Sequence, residues 1–263
     1  MGGAYLRWEG DVATLSLEFP HGNAITLPML RDLHHGLSSA RDEGAAALVL
    51  TGRGSAFCVG LDVRESLRLS RAELAQFLHT FQHVLEGLYL LPMPVVAAIN
   101  GHAAAGGCAL ALSADLRIGS SGPARIGLPE LRLGLPFPAA VLAVVEHELG
   151  PLGLRRLLLR SELLDPPAAL EAGLLDEVVA PEDLLPRAIA EARRLAVIGE
   201  AFSTIKGQVR TPVIEQLQER SEINDQWLDH WLSPLAQGRL MELLLSLNDG
   251  APAVGAASSL QQS

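Results

Sequence analysis

The chain has 263 residues, 49% hydrophobic and 19% charged, enough apolar sequence for a sizeable core in one large domain or a domain with a small appendage. Its formal net charge is −10 with no lysine- and arginine-rich run, and no apolar stretch reaches the roughly 20 residues that span a bilayer, so composition argues against nucleic-acid and membrane partners. Cys58 and Cys108 lie far apart in apolar sequence, which argues against a disulfide framework or a zinc site. Along the chain, VATLSLEF (12–19) alternates apolar and polar positions as a half-buried strand does. LPMLRDLHHGLSSARDEG repeats leucines at helical spacing, with Pro28 in the first turn and Gly44 as the stop. AAALVLTG is a continuous apolar run, suited to a strand buried on both faces. A helix over 71–90, a strand at PVVAAIN, a glycine turn, a helix near 107–113 and a strand at DLRIGS repeat the theme, which predicts an α/β fold built from crossover units.

Strands become sparse from about residue 151. PLGLRRLLLRSELL and PEDLLPRAIAEARRLAV read as helices, with LLDEVVA as a short extended piece between them. The segment from Thr211 to about Leu247 reads as wholly helical, with large apolar residues that need either the chain's own core or a neighbouring subunit. The division expected is a core over 1–200, a helical region over 201–248 and a disordered tail over 249–263. The start, MGGAYLRWEGD, lacks the basic-then-apolar order of a secretory signal, and the expected compartment is a reducing cytoplasm.

Three stretches carry candidate chemistry. TGRGSAFCVGLDVRES (51–66) follows a buried strand and has three glycines within ten residues, which permits tight turns that side chains would block. Asp62 and Glu65 suit a first helical turn, and the loop is able to aim the Leu61 N–H into a pocket. INGHAAAGGCALAL has the same plan, with Gly106 and Gly107 opening a helix whose N-terminus favours developing negative charge. Dinucleotide and P-loop spacings are absent. His102 reads as structural, with a role as base the alternative. Glu130 sits in a turn bounded by proline and glycine; alone it reads as a solvated loop carboxylate, and the two glycine loops make it a candidate base.

The motifs GNAIT (22–26), LVLTGRGSAFCVGLDV (48–63), PVVAAINGHAAAGGCALALSADLRIGS (94–120), IGLPELRLGL (126–135) and EAGLLDEVV (171–179) resemble, in order and spacing, those of the crotonase, or enoyl-CoA hydratase/isomerase, superfamily. The resemblance covers roughly residues 10–200. It implies a spiral of ββα turns followed by a C-terminal helical trimerisation region, assembled as a homotrimer or dimer of trimers. It also implies an acyl-CoA thioester substrate, with coenzyme A as part of that substrate and neither a separate cofactor nor a metal. By position, the thioester oxygen would lie between the N–H groups of Leu61 and Gly106. Backbone near Ala24 and Gly60 would hold the adenine, Arg64 would stand close to the CoA phosphates, and Lys206, the only lysine, falls where relatives often have one. Asp62 and Asp115 match acidic positions read as structural.

The hydratases of that superfamily activate water with two glutamates. This chain has Glu130 at one place and Ala109 at the other, and alanine moves no proton. One carboxylate suffices to take a proton from C2 of an enoyl thioester and return it at C4, so the leading expectation is double-bond isomerisation. Leu128 and Leu131 are expected to keep Glu130 dry. The alternatives are hydration, decarboxylation or hydrolysis on the same fold, and, in a different class, a non-catalytic CoA-binding or assembly protein.

Overall fold

The computed structural model describes residues 2–217 and 220–248; the tail expected to be disordered lies outside the described residues. A hairpin of β1 (Gly3–Glu9) and β2 (Val12–Glu18) opens the chain and turns at Gly10, whose φ is +68°. The sequence reading did not anticipate β1. Its Tyr5 and Trp8 are exposed, so the strand lacks the strict alternation that marks a half-buried one. Helix α1 (Leu27–Asp42) starts at Thr26, whose hydroxyl accepts the Met29 N–H, and turns Met29, Leu30, Leu33 and Leu37 inward.

Three successive units then follow one plan. Strands β3 (Ala47–Gly52) and β4 (Ala56–Cys58) lead into α2 (Arg71–Tyr89), which opens with a reciprocal Ser70–Glu73 capping box. Strands β5 (Val95–Ile99) and β6 (His102–Ala104) lead into α3 (Gly106–Leu112). Strands β7 (Leu116–Ser120) and β8 (Ile126–Gly127) lead into α4 (Ala139–Gly153). The first strand of each unit joins a six-stranded sheet of order β1-β2-β3-β5-β7-β10, parallel except for β1 with β2. The second joins a smaller sheet of order β4-β6-β8-β9. This is the expected ββα spiral.

The continuous apolar runs of β3 and β5 follow from burial on both faces. Leu48, Leu50, Val95 and Ala97 join the main core, whereas Ala47, Val49, Val96 and Ala98 face a second cluster under α6 (Leu184–Ala196). The segment expected as a helix over 151–164 is helical only at its start. Gly150, at φ 60° and ψ −178°, interrupts α4; a single π turn occupies Leu154–Leu158, and Leu163–Leu164 forms β9 against β8. Two short elements follow, α5 (Pro166–Glu171) and β10 (Glu177–Val179).

The last third is helical as expected, in α7 (Glu200–Glu215), α8 (Ser221–Trp231) and α9 (Pro234–Asn248). Trp227, Leu228, Trp231, Leu240 and Leu243 pack on the chain's own core. Among the described residues no helix is long and apolar enough to cross a membrane.

Candidate active site

Two backbone loops and one turn converge on a single cavity. The first loop leaves β4 at Val59. Gly60 has φ +90°, and a Cβ there would lie 2.8 Å from the Ala105 Cβ, so side chains are excluded by strain and by space. Ile25 N–H donates to Gly60 O (2.7 Å) and Asp62 N–H donates to Ile25 O (3.1 Å), a parallel bridge centred on Leu61. Residues alternate sides along such a bridge, so the Leu61 N–H is turned away from Ile25. Asp62 fixes the loop from below. Its Oδ1 accepts the N–H groups of Arg64 (2.8 Å) and Glu65 (3.4 Å), and its Oδ2 meets His21 Nδ1 at 3.1 Å.

The second loop joins β6 to α3. Ala105 takes φ 52° and ψ −127°, a conformation suited to glycine, and its N–H donates to Gly127 O at 2.9 Å. Strain of this kind costs on the order of 1–3 kcal/mol and persists only where surrounding structure imposes it. It turns the chain so that Gly106 N–H starts α3 without an intrahelical acceptor. A Cβ on Gly106 would come within 2.9 Å of Ile25 Cδ1 and 3.2 Å of Phe81 Cζ. Gly107 lets α3 lie on the Cys58 carbonyl.

Leu61, Gly106 and Glu130 line one cavity of about 860 Å³, its open mouth included. Glu130 begins a short turn, Glu130–Leu133, and is 8% exposed with no hydrogen-bond partner for Oε2. Burial pushes its carboxyl up from the usual 4.5 to about 8, its own backbone N–H pulling the other way. It is the only ionisable residue among the described residues that line the cavity. The solvated loop carboxylate suggested by its local sequence is therefore not what folds.

Leu128 is buried beside it as expected, but Leu131 is 40% exposed and keeps nothing dry; the tight turn sends adjacent side chains to opposite sides. Ala109 is fully buried inside α3 and does not line the cavity. His102 also lies outside it. Its Nδ1 accepts the Arg125 N–H at 3.0 Å, and burial lowers its pKa, which fits a structural role. Burial pushes the thiols of Cys58 and Cys108 up to about 12, against nucleophilic use.

The residues expected to hold coenzyme A divide. Arg64, half-buried in the turn after Asp62, makes no ion pair among the described residues and is open to an anion. Ala24 and Gly60 lie beside the first loop, where the Ala24 N–H already donates to Pro20 O and the Gly60 carbonyl accepts from Ile25. Lys206 is a correction. Its side chain is 4% exposed, and its ammonium donates to Asp115 Oδ2 (2.7 Å) and Met93 O (3.0 Å). Burial lowers its pKa to about 8 despite that partner. With Arg210, which meets Asp115 Oδ1 at 3.1 Å, it ties α7 to the strand ends and does not face a phosphate.

Sequence reasoning missed the apolar wall of this cavity. Phe77 and Phe81 of α2, Trp227 and Trp231 of α8, and Leu240 and Leu243 of α9 all contribute to it. The i,i+4 spacing of the two tryptophans put them on one helix face, but nothing local said which surface that face covers.

The sequence profile described as enoyl-CoA hydratase/isomerase matches residues 7–241. The crotonyl-CoA hydratase of Syntrophomonas wolfei is 31% identical over 198 residues, covering 74% of this chain and 76% of that protein. The short-chain-enoyl-CoA hydratase of Clostridium acetobutylicum is 32% identical over 193 residues, 72% of this chain and 74% of that protein. Human mitochondrial delta3-delta2-enoyl-CoA isomerase superposes with a TM-score of 0.86 at 28% identity, over 94% of this chain and 99% of that one.

Proposed function

The chain belongs to the enoyl-CoA hydratase/isomerase family, and from that premise we propose that it isomerises the double bond of an enoyl-CoA thioester with Glu130 as its single acid–base group. The thioester oxygen sits between the N–H groups of Leu61 and Gly106. The Glu130 carboxylate takes a proton from C2, and the electron pair spreads over the carbonyl and the C3–C4 double bond. The resulting dienolate oxygen is held by the two fixed donors, each worth roughly 3–4 kcal/mol in related acyl chemistry. Glu130 then returns the proton at C4, leaving the double bond between C2 and C3. Atoms balance within the substrate, and no water is consumed.

The observation that carries this reading is the lone carboxylate: among the described residues Glu130 is the only ionisable one lining the cavity, and its Oε2 has no partner. Hydration needs a second group to hold and activate water, and the position where two-glutamate relatives carry it is a buried alanine that does not line the cavity. A carboxyl with a pKa near 8 is a strong base when ionised, and its protonated form is stable in an apolar site while the dienolate lasts. Ala24 and Gly60 backbone groups border the adenine, Arg64 neutralises phosphate charge, and Lys206 acts only through the fold. We propose further that the chain assembles as a homotrimer through its C-terminal region, where α7 presents an exposed stripe of Ala201, Ile205 and Val209.

The test incubates the purified protein with a 3-enoyl-CoA and, separately, a 2-enoyl-CoA, following the conjugated thioester by absorbance and the products by mass. Conjugation gained at constant mass, and lost in Glu130→Gln, is the expected result. Water added to the 2-enoyl substrate at a comparable rate overturns the one-carboxylate mechanism.

A further inference from the structure

The helices after residue 217 form part of the cavity and give it a specific chemistry. On α8, Trp227 and Trp231 stack at 4.9 Å between ring centroids with 22° between planes, and both are buried. They line the same cavity as Phe77 and Phe81 of α2, themselves stacked at 6.3 Å. Leu240 and Leu243 of α9 join them.

Polar links along α8 and just before it hold this wall in place. Asn224 Oδ1 accepts the Ala139 N–H (3.0 Å) at the start of α4, Arg220 pairs with Glu146 (2.7 Å), and Arg71 pairs with Asp229 (2.6 Å). The aromatic wall is thus fixed against both α2 and α4. Among the described residues that line the cavity, Glu130 at the reacting end is the one ionisable residue, and the only other polar side-chain groups are the indole N–H groups of Trp227 and Trp231.

We propose that Trp227 and Trp231 set the acyl-length limit of this protein, and that its substrates carry a hydrocarbon chain without a second charged group. A short acyl group leaves the aromatic wall empty, so its thioester forgoes the apolar contact available there. Each methylene that reaches the wall tightens binding about fourfold, the equivalent of about 0.8 kcal/mol. A terminal carboxylate would leave water for leucine, phenylalanine and indole rings, where only an indole N–H is there to meet it, which opposes binding. Once the chain meets the stacked indoles, whose positions are fixed by α2 and α4, further methylenes gain nothing or are expelled toward the mouth.

This rests on the acyl-CoA reading of the site, but not on the isomerisation step, and binding of non-reacting thioesters separates the two. Affinities of the saturated butanoyl-, hexanoyl-, octanoyl-, decanoyl-, dodecanoyl- and hexadecanoyl-CoA are measured by calorimetry, with glutaryl-CoA as the polar-ended probe. The expected result is a rise of about fourfold per methylene that breaks within the series, with glutaryl-CoA weaker than hexanoyl-CoA. Trp231→Ala moves the break to longer chains, and Val141→Phe, which fills the cavity from α4, moves it to shorter ones. Circular dichroism and melting temperature establish that each variant is folded, and either variant alone tests the proposal. Affinity that is flat from butanoyl to hexadecanoyl, or a break that neither folded variant moves, overturns it. A chain-length break retained by a protein that fails to isomerise any enoyl-CoA would sink the proton-shuttle mechanism and leave the tryptophan wall standing.

Discussion

Replacing Glu130 by glutamine keeps the side chain's size and removes the one ionisable group among the described residues that line the cavity, so it exposes what burial of that carboxyl costs. In the unfolded chain the group ionises at the usual 4.5; in the fold it ionises at about 8. Between those values the native state holds a proton that the unfolded state has released. Stability therefore falls as pH rises through this window and is flat outside it. At about 1.4 kcal/mol per pH unit the whole window is worth about 5 kcal/mol, with roughly 3 kcal/mol of it lost by pH 7. Water entering through the cavity mouth relaxes the penalty, so ~3 kcal/mol across the window is the working figure. For a chain of this size that is a shift of roughly 6 °C or more in melting temperature.

The assay is calorimetric unfolding of both proteins without ligand, from pH 4.5 to 9, at one protein concentration because any self-association makes melting concentration-dependent. The glutamine variant gains on the native protein as pH rises. Lys206 and the buried thiols titrate in both proteins and cancel in the difference. Stability curves that run parallel across this range would refute the claim that burial of the Glu130 carboxyl outweighs the pull of its own backbone N–H.

The same carboxyl sets the rate. Proton abstraction needs the carboxylate, so kcat/KM for a 3-enoyl-CoA should rise about tenfold per pH unit below pH 7 and level off above about 8; a profile flat from pH 6 to 9 contradicts it. Gly106→Ala forces a methyl against Ile25 and Phe81 and displaces one donor, which should lower kcat/KM by 10²–10³-fold, measured with octenoyl-CoA, while the melting temperature changes little. Lys206→Met leaves Asp115 with Arg210 and the Val95 N–H and should cost about 3 kcal/mol in denaturant unfolding, with acyl-CoA affinity unchanged; a selective loss of CoA affinity would return Lys206 to the ligand. Ile205→Glu places charge in the exposed stripe of α7, and light scattering should then find a smaller assembly than the native protein forms.

Much of the framework was legible because it is encoded by short-range periodicity. The unbroken apolar run of β3 states that both faces are buried, and Pro28 marks where a helix begins; the alternation in VATLSLEF misled, because β2 buries Val12 and Thr14 on one face as well as Ala13, Leu15 and Leu17 on the other. The glycine loops were legible for the same reason. At Gly60 the backbone needs a positive φ, and at Gly106 a side chain has no room, and both constraints act on the residue itself. Ala109 likewise excludes a carboxylate at its position, since no fold gives alanine an ionisable group.

What local pattern does not encode is which surface each element covers. Glu130 in a proline- and glycine-bounded turn has the sequence of a solvated loop, and its raised pKa exists only because distant helices enclose the turn. Leu128 and Leu131 are equally apolar, yet the geometry of one short turn buries the first and exposes the second. Lys206 reads by its position among relatives as a contact for coenzyme A until α7 packs it against Asp115, and the tryptophans of α8 read as a face in search of a partner until that partner is the chain's own cavity. Sequence fixes the chemical types and their periodicity, whereas desolvation depends on contacts between residues far apart in the chain. For that reason the reactive group could be named from its residue type, and only the tertiary structure decided its protonation and the apolar wall it faces.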